Sequence, residues 1–285
     1  MKIKPTYFTI FTLITLILFF LADTAKAQLQ RERVELDEPV ADIFWAPTNI
    51  GISTVRNLSK YSLNSSVLHT FGLVRRGPDQ FFGLDDGANT RLGLEYGFGD
   101  TFSAGIGRMT FRKIVDLRAK SNILRQTTTG STPLDLAVKA SAGISTLSGM
   151  EFSDRISYFI SVMTARKFNK LSLQLSPMFA HFNLVSANQQ HRLFGLGIVA
   201  AYELNDRFAL SAEYLPVLSK RNPGTYDLMA IALNIDSGGH IFQIFFTSSQ
   251  WHNEAFIMAH NEHRFLDGNF RFGFNVNRIF GLRRN

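Results

Sequence analysis

TRLGLEYGFGDTFSAGIG, Thr90 to Gly107, is the stretch whose reading decides the fold. Thr90, Leu92, Leu94, Tyr96 and Phe98 share one parity, and Arg91, Gly93, Glu95 and Gly97 share the other. After Gly99-Asp100, Phe102, Ala104 and Ile106 alternate against Ser103, Gly105 and Gly107. A helix would scatter these residues around its axis. A strand sends successive side chains to opposite faces, so the period of two predicts two strands joined by a tight turn. The arrangement recurs around Asn169-Lys170, around Asn205-Asp206 and across Asp236-Ser237-Gly238-Gly239. In an exported chain this repetition predicts an all-β, antiparallel transmembrane barrel, greasy outside and wet inside.

The prediction of export rests on the first residues. Lys2 and Lys4 precede an apolar run from Tyr7 to Leu21, and Ala25-Lys26-Ala27 supplies small residues for a peptidase, so residues 1–27 read as a signal peptide cleaved before Gln28. The run is shorter than the roughly 20 residues of a spanning helix, and no later segment is uniformly apolar over such a length. Anything embedded in a bilayer must then cross as strands, since only helices and closed barrels satisfy their backbone groups in lipid. The expected address is the outer membrane of a Gram-negative bacterium.

Cleavage removes three of the 30 basic and one of the 23 acidic residues, so the charge falls from +7 to +5. That excess is spread along the chain, which suits a mildly cationic interior or rim and not a nucleic-acid surface. With no cysteine the chain has no disulfide, thiol nucleophile, thiolate metal site or lipoprotein anchor. Many of its 27 phenylalanines lie in strand-like runs near turns, where membrane barrels carry aromatic girdles.

Residues 28–60 read as an N-terminal extension, and within it Val40 to Val55 can form a short strand, a lid or an inserted plug. Residues 61–285 read as the barrel. Twelve strands are expected at 62–72, 89–98, 101–111, 114–124, 134–145, 154–168, 171–182, 192–204, 207–217, 226–236, 239–248 and 269–280, near the 9 to 11 residues a tilted strand needs to cross a bilayer. The tight connections fall on one side, the periplasmic one by expectation, and the long ones on the other. Two connections break the pattern: Arg112-Lys113 is short where a loop is expected, and Arg125 to Pro133 is long where a turn is expected. In the last strand Phe270, Phe272, Phe274, Val276 and Phe280 share a parity, resembling the aromatic signal read by barrel-assembly machinery, although Arg278 shares that face and five residues follow Phe280.

The chain resembles a β-barrel family of Bacteroidota known as a domain of unknown function. The resemblance runs from about Val40 to Phe280. It is carried by FGLDDGANTRLGLEYG (Phe82 to Gly97), NILRQ (Asn122 to Gln126), ARKFNKLSLQLSP (Ala165 to Pro177), DSGGHIFQ (Asp236 to Gln243) and DGNFRFGFNVNRIF (Asp267 to Phe280). It implies an outer-membrane barrel and brings no reaction or site residues. Near His69 the chain reads HTFG where a basic residue is expected after the histidine, so no role passes to His69.

Three kinds of chemistry are open. The first is passage or binding of a small solute without a cofactor. On strands whose even-numbered residues face outward, the lumen-lining candidates are Arg91, Glu95, Asp135, Lys139, Glu203, Arg207, Glu213, Arg271 and Asn275. Opposed charges there can orient a solute or pair into a packed interior. The second is a lipase- or protease-like site in the wall, pairing a histidine such as His69, His181 or His240 with a serine, although no linear motif joins them. The third is a metal or haem site at His252, His260 and His263 beside Glu254 and Glu262, in a long connection whose plainer reading is a solvated loop. Expected partners are outer-membrane lipid, the assembly machinery and an unidentified small solute, with no nucleic acid.

Overall fold

The computed structural model describes residues 36–282. The expected signal peptide and the start of the extension lie outside those residues. Twelve strands follow in chain order: β1 (Ser62–Leu73), β2 (Ala88–Gly97), β3 (Phe102–Met109), β4 (Ile114–Leu124), β5 (Asp135–Ser145), β6 (Ile156–Phe168), β7 (Leu171–Phe182), β8 (Arg192–Glu203), β9 (Phe208–Leu215), β10 (Leu228–Asp236), β11 (His240–Thr247) and β12 (Arg271–Gly281). Each pairs antiparallel with its sequence neighbours, and β12 pairs with β1 to close the barrel. One short helix, α1 (Glu254–His260), lies in the connection between β11 and β12.

The opening hairpin pairs Leu94 with Ile106 and Glu95 with Gly105, as its alternation requires. Asn169 takes the left-handed conformation (φ 56°) that lets two residues turn β6 into β7. Both ends of the barrel chain and the short connections lie at one end, the turn end, and the long connections at the loop end, except that the long β4–β5 connection is at the turn end and the short β3–β4 connection at the loop end.

Burial alternates along every strand, and the large apolar residues on the outer parity remain exposed, among them Leu92, Leu94, Ile106, Leu117, Ile160, Leu210, Ile231 and Ile244. A water-soluble barrel would not present so continuous an apolar belt. Aromatic pairs border it: Tyr96 and Phe98 at 4.9 Å near the turn end, and Phe71 and Phe272 at 5.8 Å near the loop end.

The interior is filled. Residues 42–58 enter from the turn end as a strap, fold back at mid-barrel and return to β1. Thr48 bridges Ser53 and Asn49 donates its backbone N–H to Ile52 O, so Asn49 to Ile52 form the tip of a small hairpin. Of the three forms open to Val40–Val55, the structure has the inserted plug. From the loop end α1 descends to meet it, with Glu254 through Ala259 all buried. Ile52, Val55, Met178, Ile257 and Met258 belong to one apolar cluster.

Both irregular connections follow from this filling. The β4–β5 connection is long because it clasps the incoming strap: Pro39 bridges Thr127, Val40 N donates to Gln126 O, and Thr128 N donates to Glu38 O. Asp37 accepts from the hydroxyls of Thr129 and Ser131, which hold its carboxyl down at about 2. The β3–β4 connection is short, and its Phe111 packs edge-on at 4.8 Å against Trp251 over the mouth that α1 closes.

Candidate functional site

The candidate site is the contact between strap, helix and inner wall. At the strap tip three successive backbone N–H groups converge on one carboxylate: Ile50 and Ile52 donate to Glu213 Oε1 at 2.7 and 3.1 Å, and Gly51 donates to Oε2 at 2.9 Å. β9 aims Glu213 inward because its odd positions, Ala209, Ser211, Glu213 and Leu215, all face the interior. Asn275 Nδ2 donates to the carbonyls of Asn49 and Ile50, at 3.2 and 3.0 Å. A ladder runs outward from it along the wall, through Gln243, Asn234 and Ser211.

The returning limb is held in the same manner. Gln174 accepts from Val55 N at 2.9 Å and donates to Ser53 O at 2.8 Å. Asn122 Nδ2 donates to Val55 O, and Lys120 Nζ donates to the carbonyls of Thr54 and Arg56. Thus wall side chains substitute for the missing strand partners of the strap, whose buried backbone groups would otherwise be unsatisfied.

α1 adds a buried ion pair. Lys139 Nζ lies 2.6 and 2.8 Å from the two oxygens of Glu254 and donates to Ser53 Oγ at 2.7 Å, while Ser53 N donates to Glu254 Oε1. Strap, helix and wall therefore meet at Ser53. Nearby on the same side, Asp116 accepts from Arg91 at 2.8 and 2.7 Å and from Arg118 at 3.0 and 2.9 Å. Ser103 donates to Glu95. These charges stay ionic inside the barrel because each finds a partner of opposite sign or a hydrogen bond.

Inward glycines make room for the filling. A Cβ on Gly107 would lie 1.9 Å from the Arg91 guanidinium, and one on Gly197 would meet the Met178 methyl at 2.4 Å and Ile52 Cγ2 at 3.4 Å. A Cβ on Gly195 would lie 3.1 Å from the Met258 methyl.

Of the lumen-lining candidates, Arg91, Glu95, Asp135, Lys139, Glu213, Arg271 and Asn275 are buried. Glu203 is half-buried at the turn end, where it takes Lys167 at 2.7 Å and the Trp45 indole N–H at 3.2 Å. Arg207 is a correction: it is exposed in the β8–β9 turn, because β9 begins one residue later than the alternation suggests. The parity restriction missed Asp116, Arg118 and Lys120, since in β4 the even positions face inward. Their alternation with Val115, Leu117 and Ala119 was the available signal.

The first half of the histidine-rich connection is not a solvated loop; in its second half Glu262, Arg264 and Asp267 are exposed and His263 is half-buried. His252 and α1 are buried, and His260 packs among Trp251, Phe182 and Phe256 at ring distances of 5.3 to 6.0 Å. Burial lowers both imidazoles from 6.5 to about 4. Among the described residues no group of three His, Cys, Asp or Glu side chains is placed to hold a metal ion. His252 Nε2 lies 3.1 Å from Asn89 O, a group that only accepts, so that nitrogen carries the proton and is no base toward Thr70 Oγ1 at 3.3 Å. His69 sits on the outer face, paired with Thr90 and stacked 4.9 Å from Phe274.

The family described as membrane bound beta barrel domain (DUF5777) matches residues 44–280. The chain belongs to this family. The matched residues include the strap tip and α1 and extend into β12. Among solved structures, the NanC porin covers 78% of the chain and 100% of its own at 10% identity and a TM-score of 0.49. OmpT, an outer membrane protein of Vibrio cholerae, covers 67% and 64% at 10% identity and a TM-score of 0.36. LpxR from Salmonella typhimurium covers 77% and 99% at 11% identity and a TM-score of 0.35. No curated protein matches the chain.

Proposed function

We propose that the chain is an outer-membrane barrel that passes or binds a small hydrophilic solute without catalysis, through a lumen closed at rest by the strap and α1. The observation that carries this reading is the anchorage of the strap tip, three backbone amides on the single carboxylate of Glu213. A plug serving only to fill the barrel would be held as well or better by apolar packing, because buried charges are expensive to keep. The strap is instead joined to the wall through polar groups that water or a polar solute can take over. Once it leaves, Arg91, Glu95, Asp116, Arg118, Lys120 and Lys139 line one wall and Glu213 stands on another. Such a lumen selects by width and by charge.

The outer-membrane address is supported by the signal-like leader, by the apolar belt and by the family. The aromatic row of β12 supports delivery by assembly machinery. A wall hydrolase is the less favoured reading, since the hydroxyls beside His252 and His69 are those of threonines facing the plug and the lipid face. The test is conductance of the folded barrel in planar bilayers. The wild type is expected to be mostly silent with brief openings, and variants that loosen the strap to open often. Folded variants that never conduct, or a histidine-dependent hydrolysis of lipid or peptide, would overturn this reading.

A further inference from the structure

The outer parity of the strands carries a charge pattern that neither the filling nor the proposed passage uses. Every Asp and Glu within β1 to β12 faces inward, among them Glu95, Asp116, Asp135 and Glu213. The outward charges are all arginines, namely Arg108, Arg166, Arg192 and Arg278. Arg166 lies over the Phe168 ring, Arg278 lies over Phe280 and contacts His240, and Arg192 begins its strand at the loop end. Arg108 has no such relief. It is exposed between Leu92 and Val115 on the neighbouring strands and pairs with no carboxylate among the described residues.

Its height makes this unusual. From Phe102, in the turn-end aromatic band, to Arg108 the strand advances by six residues, about 20 Å along its axis and about 15 Å of height at a tilt near 40°. The apolar band of such barrels is about 25 Å tall, so Arg108 stands below its upper edge, where an unpaired arginine is costly. Above it a turn closed by Lys113 N donating to Thr110 O brings Arg112, which lies over the Phe111 ring, and Lys113 onto the same hairpin, both with left-handed backbone and neither paired with a carboxylate among the described residues. Below it and to one side, on β4 to β6, the outer wall is hollowed: Leu117, Ala119, Ala140, Ala142, Tyr158 and Ile160 border an open depression of about 540 Å³, where the alanines leave room between the larger side chains.

We propose that the β3–β4 hairpin binds a phosphate-bearing lipid of the outer leaflet. Arg108, Arg112 and Lys113 take the phosphate, drawn down to the short hairpin, and an acyl chain lies across the alanine-lined depression. Three cations beside an apolar trough match an anionic amphiphile: a free anion leaves the trough empty, and a zwitterionic lipid leaves the cations uncompensated.

The full-length protein in detergent is titrated with dioleoylphosphatidic acid, and bound lipid is counted by native mass spectrometry. Dioleoylphosphatidylcholine and inorganic phosphate serve as the other probes. Phosphatidic acid is expected to bind at least tenfold more tightly than phosphatidylcholine and to resist an equal concentration of inorganic phosphate. Arg108→Gln with Lys113→Gln should weaken it tenfold or more, and Ala140→Phe, which fills the trough, should weaken it severalfold. If the double variant does not fold, Arg108→Gln alone is used, with a loss of about threefold expected. Unchanged retention in the arginine and lysine variants, equal retention of the two lipids, displacement by inorganic phosphate or indifference to Ala140→Phe would each overturn the proposal. Because strap opening is not involved, the result stands apart from any outcome of the conductance test.

Discussion

Replacing Glu213 by glutamine changes one oxygen and nothing in the shape of the strap contact, which makes it the sharpest probe of the plug. In the wild type Oε1 accepts from Ile50 and Ile52 and Oε2 from Gly51, so both oxygens act as acceptors. Glutamine keeps one acceptor and turns the other position into an NH2 donor. Pointed at Gly51 it opposes a donor; turned the other way it opposes the other two. At least one buried N–H is left without an acceptor, which costs about 1–3 kcal/mol. Taking about 2 kcal/mol, with a factor of ten for each 1.4 kcal/mol, the strap should leave the wall roughly 30 times more often. Open probability in single-channel recordings should rise by that order, and amide exchange of residues 49–52 should accelerate in parallel. Faster exchange without any rise in conductance would refute the gating argument. No change in either would refute the anchorage itself.

Three further perturbations follow from the same contacts. Lys139→Met removes the cation from the buried pair and leaves Glu254 uncompensated, a loss of about 3–5 kcal/mol, so the melting temperature should fall and α1 should undock first in hydrogen exchange; an unchanged melt would contradict the pairing. Gly107→Val drives a side chain into the Arg91 guanidinium and should separate it from Asp116, destabilising the barrel by several kcal/mol, with Gly107→Ala milder; thermal unfolding indistinguishable from wild type would contradict the close approach. Acid should loosen the loop-end cover. His252 and His260 have folded values near 4 against 6.5 when free, so the unfolded cover binds more protons between those limits. Their support is complete above pH 6.5 and is lost as the pH falls toward 4. Exchange in residues 251–261 should therefore be faster at pH 5 than at pH 7.5, and equal rates would contradict their burial.

The strands were legible because each carries its own evidence. Alternation at Thr90–Phe98 or Phe208–Leu215 is a local consequence of one wall meeting lipid and the other the interior, and every predicted boundary lies within two residues of the observed one. Phe270 to Phe280 read equally well despite Arg278, whose guanidinium lies over Phe280 and beside His240. The plug was not legible in the same way. Asn49 to Ile52 have no period, since a hairpin tip hung on wall side chains gains its stability from Glu213, Gln174 and Asn275, all more than a hundred positions away. α1 has seven residues, buried on every side, so no amphipathic stripe marks it. Its histidines suggested ligands because composition shows which groups are present and not that Trp251 and Phe256 enclose them. The inward charges were half legible: parity found Arg91 and Lys139, and an incomplete use of parity left out Asp116, the β4 partner of Arg91, together with Arg118 and Lys120.

The strap inside the barrel is the feature from which the gating and the closed lumen both follow. Because the chain has no cysteine, Ile52→Cys and Gly197→Cys introduce the only thiols, at positions where a Cβ on residue 197 stands 3.4 Å from Ile52 Cγ2. Mild oxidation of this double variant, folded in lipid vesicles, should join the two residues in most molecules and silence the openings until a reductant is added. Two free thiols, both open to a water-soluble maleimide after oxidation, would contradict it.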